Sequence, residues 1–234
     1  MGDWRNFAII EKYQRANKYD YNWIVENWMG PNPLYLAEEL CENMDLRPGM
    51  KVLDMGCGKG CSSVFLAKEY GVTVFANDLW IDPTENLRRF ERAGVSDRVY
   101  PIRADAHALP YASEFFDATV SFNSYQYYGT SDEFLPKIYS KLIKPGGQIG
   151  AVINGLIDED GPPCEINGGA SGFHSGKWWR RHWEKTGLVD VVACYDFVDP
   201  KSADEGQYVT AGFDTSNYAI IVMAAVKKGA SLLK

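Results

Sequence analysis

The sequence has no hydrophobic run long enough to cross a membrane. Its longest apolar stretch, residues 218–226, is far shorter than the ~20 residues that a membrane-spanning helix needs. The first residues also lack the apolar segment of a secretory signal peptide. We therefore expect a soluble cytoplasmic protein without a membrane partner.

Cysteines are too few and too scattered to form a disulfide framework. The chain has five of them, an odd number, which is typical of a protein from a reducing compartment. Cys57 and Cys61 lie close together, but no second Cys or His pair stands at the spacing that zinc sites use. The sequence therefore predicts no metal ion.

Basic residues are also scarce. The chain has 24 Lys and Arg against 31 Asp and Glu, which gives a net charge of −7. Nucleic acids and anionic membranes are usually bound by surfaces with an excess of basic residues. We therefore expect a small-molecule partner and no nucleic acid.

The sequence does contain a regular alternation of strand and helix patterns. Apolar strands are predicted at 51–55, 72–77, 99–104, 116–122, 148–153, 189–197 and 218–227. Helices are predicted from the cap Asn32 onward and at 62–70, 83–93, 131–143 and 176–186, and loops at 154–175 and 199–214. This order predicts an α/β fold, with a doubly wound, mostly parallel sheet and helices on both faces.

The length of 234 residues suits a single domain over 1–234. Residues 1–31 are rich in Trp and Tyr and are predicted to form an N-terminal helical lid. Residues 45–155 carry the regular alternation and are predicted to be the ligand-binding core. Residues 156–186 are predicted to form a cap loop and helix.

The first strand runs into a glycine-rich turn, residues 56–60. Glycines at a strand-to-helix turn let the backbone approach a ligand and direct N–H groups at it. The dinucleotide fingerprint is Gly-x-Gly-x-x-Gly, whereas here the third glycine comes one residue early. Asp54 precedes the turn, where an acid disfavours a pyrophosphate and favours a cationic ligand. An NAD-dependent oxidoreductase is therefore disfavoured.

Polar residues stand at the ends of the first four strands, namely Asp54, Asp78, Asp105 and Asn123. In a parallel sheet the ligand lies at the carboxyl ends of the strands, so we expect these side chains to converge. Asp78 follows the turn by about 20 residues, where an acid accepts both hydroxyls of a ribose. Leu79 and the next residue would lie against a nucleobase.

These residues together resemble the motifs of class I S-adenosylmethionine-dependent methyltransferases. The resemblance covers about residues 45–155, including 103–110 around Asp105 and the Lys-Pro-Gly-Gly turn that ends at 147. It is strongest to the small-molecule branch typified by ubiquinone/menaquinone-biosynthesis enzymes. It implies a Rossmann-like methyltransferase fold with a seven-stranded sheet, and S-adenosylmethionine as the cofactor. It also implies that Asp105 and Ala106 bind the adenine.

The resemblance assigns the remaining motif residues to the methionine end of the cofactor. Asp54 and the turn formed by Gly56, Cys57 and Gly58 would face the methionine moiety. Asn123 would lie under the methionine or the transferring methyl group. The methyl group would pass to a small-molecule acceptor by in-line displacement.

The acceptor site is less well specified. Trp28, Tyr127 and His174 are candidate substrate-binding residues, and the last two are also candidate catalytic residues. A general base is needed only if the acceptor must lose a proton. The tryptophans and tyrosines of the lid and of the cap helix would form either an aromatic cage for a methylammonium group or a packed hydrophobic lid.

Alternative functions remain open at this stage. One is a non-catalytic S-adenosylmethionine-binding sensor or scaffold of the same fold, and another is a polyamine-synthase-like transferase that uses a decarboxylated donor. Enzymes that methylate amino groups of nucleic-acid bases or glutamine usually carry an Asn/Asp-Pro-Pro-Tyr motif where this chain has Asn-Ser-Tyr-Gln at 123–126. The sequence leaves open the methylated atom and the oligomeric state.

Overall fold

The computed structural model describes residues 10–30, 32–161, 172–197 and 216–229. The strands are β1 Lys51–Met55, β2 Thr73–Asp78, β3 Val99–Arg103, β4 Phe116–Phe122, β5 Ile143–Leu156, β6 Val189–Phe197 and β7 Tyr218–Lys227. The helices are α1 Tyr21–Asn27, α2 Pro33–Cys41, α3 Cys61–Tyr70, α4 Pro83–Ala93 and α5 Gly176–Glu184. The predicted loop at 199–214 and residues 162–171 of the one at 154–175 lie outside the described residues.

The strands form one seven-stranded sheet in the order β3-β2-β1-β4-β5-β7-β6. Neighbouring strands from β3 to β5 run parallel, while β7 runs antiparallel to both β5 and β6. The predicted α/β fold with a mostly parallel seven-stranded sheet is therefore confirmed. The strand order reverses between β1 and β4, which is where such sheets open a crevice for a ligand.

Local capping signals set the helix ends as predicted. The Asp82 carboxylate accepts hydrogen bonds from the backbone N–H groups of Thr84 and Glu85 at the start of α4. Gly94, with φ of 70°, ends the same helix in the left-handed conformation that favours glycine. The side chain of Asn32 caps α2 in the same way as Asp82 caps α4.

The helix predicted over 131–143 is wrong in detail. The chain forms a π-helical turn at Leu135–Tyr139, continues as a helical turn at Ser140–Leu142, and enters β5 at Ile143. Pro136 explains part of the difference, because proline has no N–H to donate within a regular α-helix. The fifth strand is correspondingly longer than the predicted 148–153.

Apolar side chains pack on both faces of the sheet. On one face α2 and α3 contribute fully buried residues such as Leu34, Leu40 and Phe65. On the other face Trp179 and Trp183 of α5 are fully buried in an aromatic cluster. These two tryptophans belong to the core, so α5 does not present them to a ligand as an aromatic cage.

The described part of the N-terminal segment, residues 10–30, packs against α2 and α3. Two buried glutamates of α2 hold it: Glu38 accepts from the backbone N–H groups of Arg15 and Ala16 at 3.1 and 2.8 Å. Glu39 accepts from the Tyr13 hydroxyl at 2.7 Å. We call residues 10–30 the N-terminal arm.

The described residues contain neither a membrane-spanning helix nor a cluster of possible metal ligands. No helix there has the length and the apolar character that crossing a membrane requires. No group of three or more His, Cys, Asp or Glu side chains is placed there to hold a metal ion.

Candidate functional site

The turn after β1 is a cradle that only glycine can form. Gly56 and Gly58 have φ of 71° and 55°, in the left-handed region. A Cβ atom at Gly56 would lie 2.2 Å from the Ser124 Oγ, and one at Gly58 would lie 3.0 Å from the Met29 Sδ. The Gly56 N–H donates to the Asn77 carbonyl at 2.8 Å, which fixes the turn against β2.

A cavity of about 430 Å³ opens beside this turn, at the carboxyl ends of β1, β2, β3 and β4. It is lined by Met29, Met55, Gly56, Gly58, Asn77, Asp78, Leu79, Trp80, Ala104, Asp105, Ala106, His107, Phe122, Asn123, Ser124, Tyr127 and Tyr128. Seven of the nine residues predicted to bind the cofactor are among them. Residues from four separate strand ends therefore meet around one space, as expected for this sheet topology.

A larger hollow of about 670 Å³ lies between the N-terminal arm, α3 and α4. None of the predicted site residues lines it. Its charged side chains include the ion pair between Lys18 and Glu69, with 2.7 Å between Nζ and Oε2. We take the smaller cavity as the functional site, because it stands at the strand ends.

Asp78 joins the glycine turn to the loop that follows β2. Its Oδ2 accepts from the Gly58 N–H at 2.8 Å, and its Oδ1 accepts from the N–H groups of Trp80 and Ile81 at 2.8 and 3.0 Å. Each carboxylate oxygen has more than one lone pair, so these contacts leave capacity for ligand hydroxyls. Asp78 therefore orders the cradle as well as lining it.

Asp105 lines the opposite part of the cavity and is half exposed. Its Oδ1 accepts from the backbone N–H of His107 at 2.8 Å and lies 2.9 Å from the His107 Nδ1. These contacts lower the pKa of Asp105, the backbone hydrogen bond contributing most. The carboxylate is thus ionised at neutral pH and acts as a hydrogen-bond acceptor.

Two asparagines in the cavity lining carry buried amide oxygens that have no hydrogen-bond partner among the described residues. They are the Oδ1 atoms of Asn77 and Asn123. The Asn77 Nδ2 donates to the Ala104 carbonyl at 2.9 Å, which fixes that side chain. Asn123 has φ of 53°, a strained backbone conformation that asparagine tolerates better than most residues. The site therefore has spare acceptors, which suit a ligand rich in donors.

Asp54 and Cys57 do not line the cavity, so their contact with the ligand stays a prediction. Asp54 is fully buried behind the turn, and its Oδ2 accepts from the hydroxyls of Ser62 and Ser63 at 2.7 and 2.6 Å. The Cys57 side chain is also buried, near the Asn86 amide. From this part of the chain, Met55, Gly56 and Gly58 line the cavity, while the side chains of Asp54 and Cys57 are buried in the core.

Burial has an electrostatic consequence for Asp54. Desolvation raises its pKa to about 6, although the two serine hydroxyls and a more distant Asp78 act on it as well. Its Oδ1 has no hydrogen-bond partner among the described residues. The charged form is therefore unfavourable in the folded protein.

We expect Asp54→Asn to change how stability depends on pH. The folded pKa lies above the value of 3.8 for an unperturbed carboxyl, so the folded state binds the extra proton between these values. The wild-type free energy of unfolding should therefore fall by about 2 kcal/mol as pH rises from 4 to 7, and the variant should lack this fall. Urea unfolding of both proteins across this range measures the difference. If the difference in the free energy of unfolding between the two proteins did not vary with pH, Asp54 would not have the raised pKa.

Three hydroxyls form a cluster on the carbonyl of Met55. The Ser124 Oγ donates to this carbonyl at 2.9 Å and lies 2.8 Å from the Ser121 Oγ and 2.9 Å from the Tyr128 hydroxyl. Burial raises the pKa of Tyr128, so this hydroxyl keeps its proton. The cluster ties β4 to the end of β1 directly under the cavity. No spacing in the sequence predicts these hydrogen bonds, since they depend on β4 lying beside β1.

Of the three residues predicted to bind the acceptor, only Tyr127 lines the cavity. Trp28 packs on the core beside Tyr21, and its neighbour Met29 lines the cavity in its place. The role of Trp28 in acceptor binding therefore stays a prediction, and Met29 joins the candidates for this role.

His174 also stands outside the cavity lining, although the sequence placed it in the site. Its Nδ1 lies 3.1 Å from the Glu159 Oε2, and its ring stacks on Trp178 with centroids 3.7 Å apart. Glu159 further accepts from the Ser175 N–H at 2.5 Å. Glu159 and His174 form a carboxylate–imidazole pair that no sequence pattern predicts, because the two residues are 15 positions apart in a loop.

The comparisons with known proteins agree with this geometry. Residues 52–147 match the family model described as a methyltransferase domain. The chain is 33% identical over 128 residues to the methyltransferase GfsG of Streptomyces halstedii, which covers 53% of this chain and 46% of the relative. It is 30% identical over 176 residues to phosphoethanolamine N-methyltransferase 1 of Triticum aestivum, which covers 72% of this chain and 34% of the relative.

The chain thus spans about a third to a half of the length of these relatives. A solved structure with the same fold is geranyl diphosphate C-methyltransferase from Streptomyces coelicolor, in complex with Mg²⁺, geranyl diphosphate and S-adenosylhomocysteine. It has a TM-score of 0.65 and 18% identity, and the match covers 84% of this chain and 79% of that one. At this identity the likeness shows the fold alone. The finer resemblance to quinone-biosynthesis enzymes stays a prediction.

Proposed function

We propose that this chain, which belongs to the class I S-adenosylmethionine-dependent methyltransferases, transfers a methyl group from S-adenosylmethionine to a small-molecule acceptor. The observation that supports this best is the convergence of residues from separate motifs. Gly56, Gly58, Asp78, Asp105 and Asn123 all line one cavity of about 430 Å³. A cavity of this size is typical of small-molecule sites.

The chemistry of the lining fits this cofactor. S-adenosylmethionine is cationic at its sulfonium and ammonium groups and offers further donors at its ribose and adenine. The cavity supplies the matching acceptors, namely the carboxylates of Asp78 and Asp105 and the unpartnered amide oxygens of Asn77 and Asn123. The left-handed glycines leave the space that a Cβ atom would fill. A site rich in acceptors suits this donor better than it suits a pyrophosphate.

In this proposal each motif residue holds one part of the cofactor. Asp78 accepts from the ribose hydroxyls, and Leu79, which is 46% exposed at the cavity rim, covers a face of the adenine. Asp105 accepts from the adenine amine, with Ala106 beside the ring. The backbone at Gly56 and Gly58 approaches the methionine end, and Asn123 lies near the transferring methyl. Asp54 and Cys57 support this end from behind the turn.

The protein then has to position the acceptor and exclude water. When bound, S-adenosylmethionine supplies a methyl group on a positively charged sulfur, which is already activated for displacement. The remaining contribution is alignment of the acceptor lone pair and a dry site. Met29 and Tyr127, which line the cavity from opposite elements, are placed to cover the acceptor.

We keep Tyr127 and His174 as the proposed catalytic residues. Tyr127 lines the cavity, while the Glu159 carboxylate would orient the His174 imidazole. Either group would serve as a base for an acceptor that must lose a proton. A lower kcat in His174→Asn with unchanged cofactor affinity would support the second assignment, and an unchanged kcat would oppose it.

The domain divisions and the cellular setting are part of the same proposal. Residues 1–31 act as a lid, residues 45–155 bind the cofactor, and residues 156–186 form a cap on the acceptor side. The position of Met29 in the cavity lining supports a role for the arm in covering the site. The scattered cysteines and the excess of acids support a cytoplasmic enzyme that acts on small molecules and not on nucleic acids.

Calorimetric titration of the purified protein tests the cofactor assignment. We expect S-adenosylmethionine and S-adenosylhomocysteine to bind with micromolar Kd, and NAD not to bind. Release of S-adenosylhomocysteine with a panel of acceptors then separates an enzyme from a binding module. Binding of NAD alone would refute the proposed function, since the glycine turn would then serve a dinucleotide.

A further inference from the structure

We infer that the acceptor is an apolar molecule that carries an uncharged or cationic head group able to donate a hydrogen bond, and that a phosphorylated acceptor is selected against. The inference deepens the proposed function and rests on it. It follows from the part of the cavity lining that the cofactor motifs do not use, together with the charges of the whole lining and the Asn123 amide beside that part.

That part forms an acceptor wall, which we define as Met29, Phe122, Ser124, Tyr127 and Tyr128. It combines one thioether with three aromatic rings and contains no charged side chain. Met29 and Tyr127 are 55% and 53% exposed, so their apolar surface is still available to a ligand. A small molecule with an apolar body would bury this surface, which is the main driving force for binding in such pockets.

The charges around the cavity disfavour an anion. The carboxylates of Asp78 and Asp105 line it, and among the described residues no Lys or Arg does. Two cations on adjoining segments already have partners: the Lys59 Nζ donates to the Glu26 carbonyl at 3.0 Å, and the Arg103 Nε donates to the Leu79 carbonyl at 3.1 Å.

The segments outside the described residues add few cations. Their sequence contains only Arg5, Lys201 and Lys234 as basic residues, and residues 162–171 contain none. A phosphate group carries a charge of about −1.5 to −2 at neutral pH and is normally held by arginine or lysine. A phosphorylated acceptor would therefore find no such partner in the described lining, while Asp78 and Asp105 add negative charge to the same cavity.

The polar groups of the acceptor wall favour a donor on the acceptor. The Ser124 and Tyr128 hydroxyls are engaged with each other, with Ser121 and with the Met55 carbonyl. At the edge of the wall, the Asn123 Oδ1 has no partner among the described residues. The terminal torsion of asparagine is broad, so this amide can turn toward a ligand at little cost. An amine or a hydroxyl would satisfy this oxygen.

The test varies the head group and keeps the body constant. Octylamine, octanol and octyl phosphate are titrated into the full chain with saturating S-adenosylhomocysteine, and Kd is measured by calorimetry. We expect octyl phosphate to bind at least tenfold more weakly than the better of the other two. The better of the two identifies the head group as an amine or a hydroxyl. Phosphoethanolamine, which lacks the apolar body, should not bind measurably.

Two outcomes would overturn the inference. One is binding of octyl phosphate or phosphoethanolamine as tight as that of the amine and the alcohol, and the other is binding of none of these compounds. In both outcomes the titration with S-adenosylhomocysteine is read separately. If that ligand binds, the proposed function stands and only the acceptor class is wrong; if it does not, the proposed function fails.

A matched pair of variants links the result to the acceptor wall. Tyr127→Lys places a cation beside the acceptor, and we expect it to tighten octyl phosphate binding at least tenfold. Tyr127→Phe keeps the ring without the charge and should leave the head-group order unchanged. Because Tyr127 is half exposed, neither change should disturb the fold. An unchanged Kd for octyl phosphate in Tyr127→Lys would place the acceptor elsewhere.

Discussion

Gly56→Ala is expected to abolish measurable binding of S-adenosylhomocysteine and to lower the free energy of unfolding by about 3 kcal/mol. An L-residue in this left-handed conformation costs ~1–2 kcal/mol on its own. The new Cβ would also lie 2.2 Å from the Ser124 Oγ, which is held by the hydroxyl cluster. The turn has to move, and the backbone groups of the cradle move with it. Calorimetry and urea unfolding measure the two effects.

Gly94→Ala is the matched control. Gly94 has φ of 70°, almost the same as Gly56, but a Cβ there would have no atom within 4 Å. Gly94→Ala should lower the free energy of unfolding only by the conformational cost, roughly 1–2 kcal/mol, and should bind S-adenosylhomocysteine as the wild type does. Equal losses of stability and equal affinities in the two variants would show that the close contact with Ser124 does not cause the effects of Gly56→Ala.

Asp78→Ala is expected to weaken S-adenosylhomocysteine binding by at least a hundredfold while the protein stays folded. The carboxylate holds three backbone N–H groups from the glycine turn and the loop after β2. Its removal leaves these donors without their acceptor and removes the proposed partner of the ribose hydroxyls. A hundredfold change corresponds to about 2.7 kcal/mol, within the range for a lost charged hydrogen-bond network. Calorimetry measures the affinity, and circular dichroism verifies the fold.

Asp82→Ala is the control, because it removes backbone hydrogen bonds without removing a residue of the cavity lining. Asp82 also accepts from two backbone N–H groups, those of Thr84 and Glu85, but it does not line the cavity. Loss of this cap should cost about 1 kcal/mol of stability and leave cofactor affinity unchanged. If Asp78→Ala kept the wild-type affinity, the assignment of the cavity to this cofactor would be withdrawn.

Much of the fold could be predicted because its signals are local. The bounds of β1, β4, β6 and β7 agree with the sequence patterns, since apolar runs between glycine, proline and acidic residues define short buried strands. The capping residues of α2 and α4 were equally readable, because a cap acts within three residues of itself.

The elements that failed depend on contacts distant in sequence. The segment at 131–143 forms a π-helical turn, where propensity alone suggests a regular helix. Its buried residues Phe134 and Tyr139 pack into the aromatic cluster with Trp179 and Trp183, and tertiary packing of this kind overrides local preference.

The candidate site was predictable on the cofactor side and much less so on the acceptor side. The strand-end residues Asp78, Asp105 and Asn123 converge because topology alone brings parallel strand ends together. Two features depend on the direction in which a side chain points: Asp54 is buried, and Met29 lines the cavity where Trp28 was predicted. This direction changes from one residue to the next. No spacing rule in the sequence indicated these.

The two buried glutamates of α2 have a consequence for how this protein could diversify. They anchor residues 13–16 of the arm to the domain, whereas Met29 at the far end of the same arm contacts the ligand cavity. The anchored residues 13–16 and the cavity residue Met29 thus belong to one short segment but lie at different places along it. Substitutions near Met29 can accumulate without disturbing the contacts of residues 13–16. Acceptor specificity can therefore change during evolution while the rest of the fold stays the same.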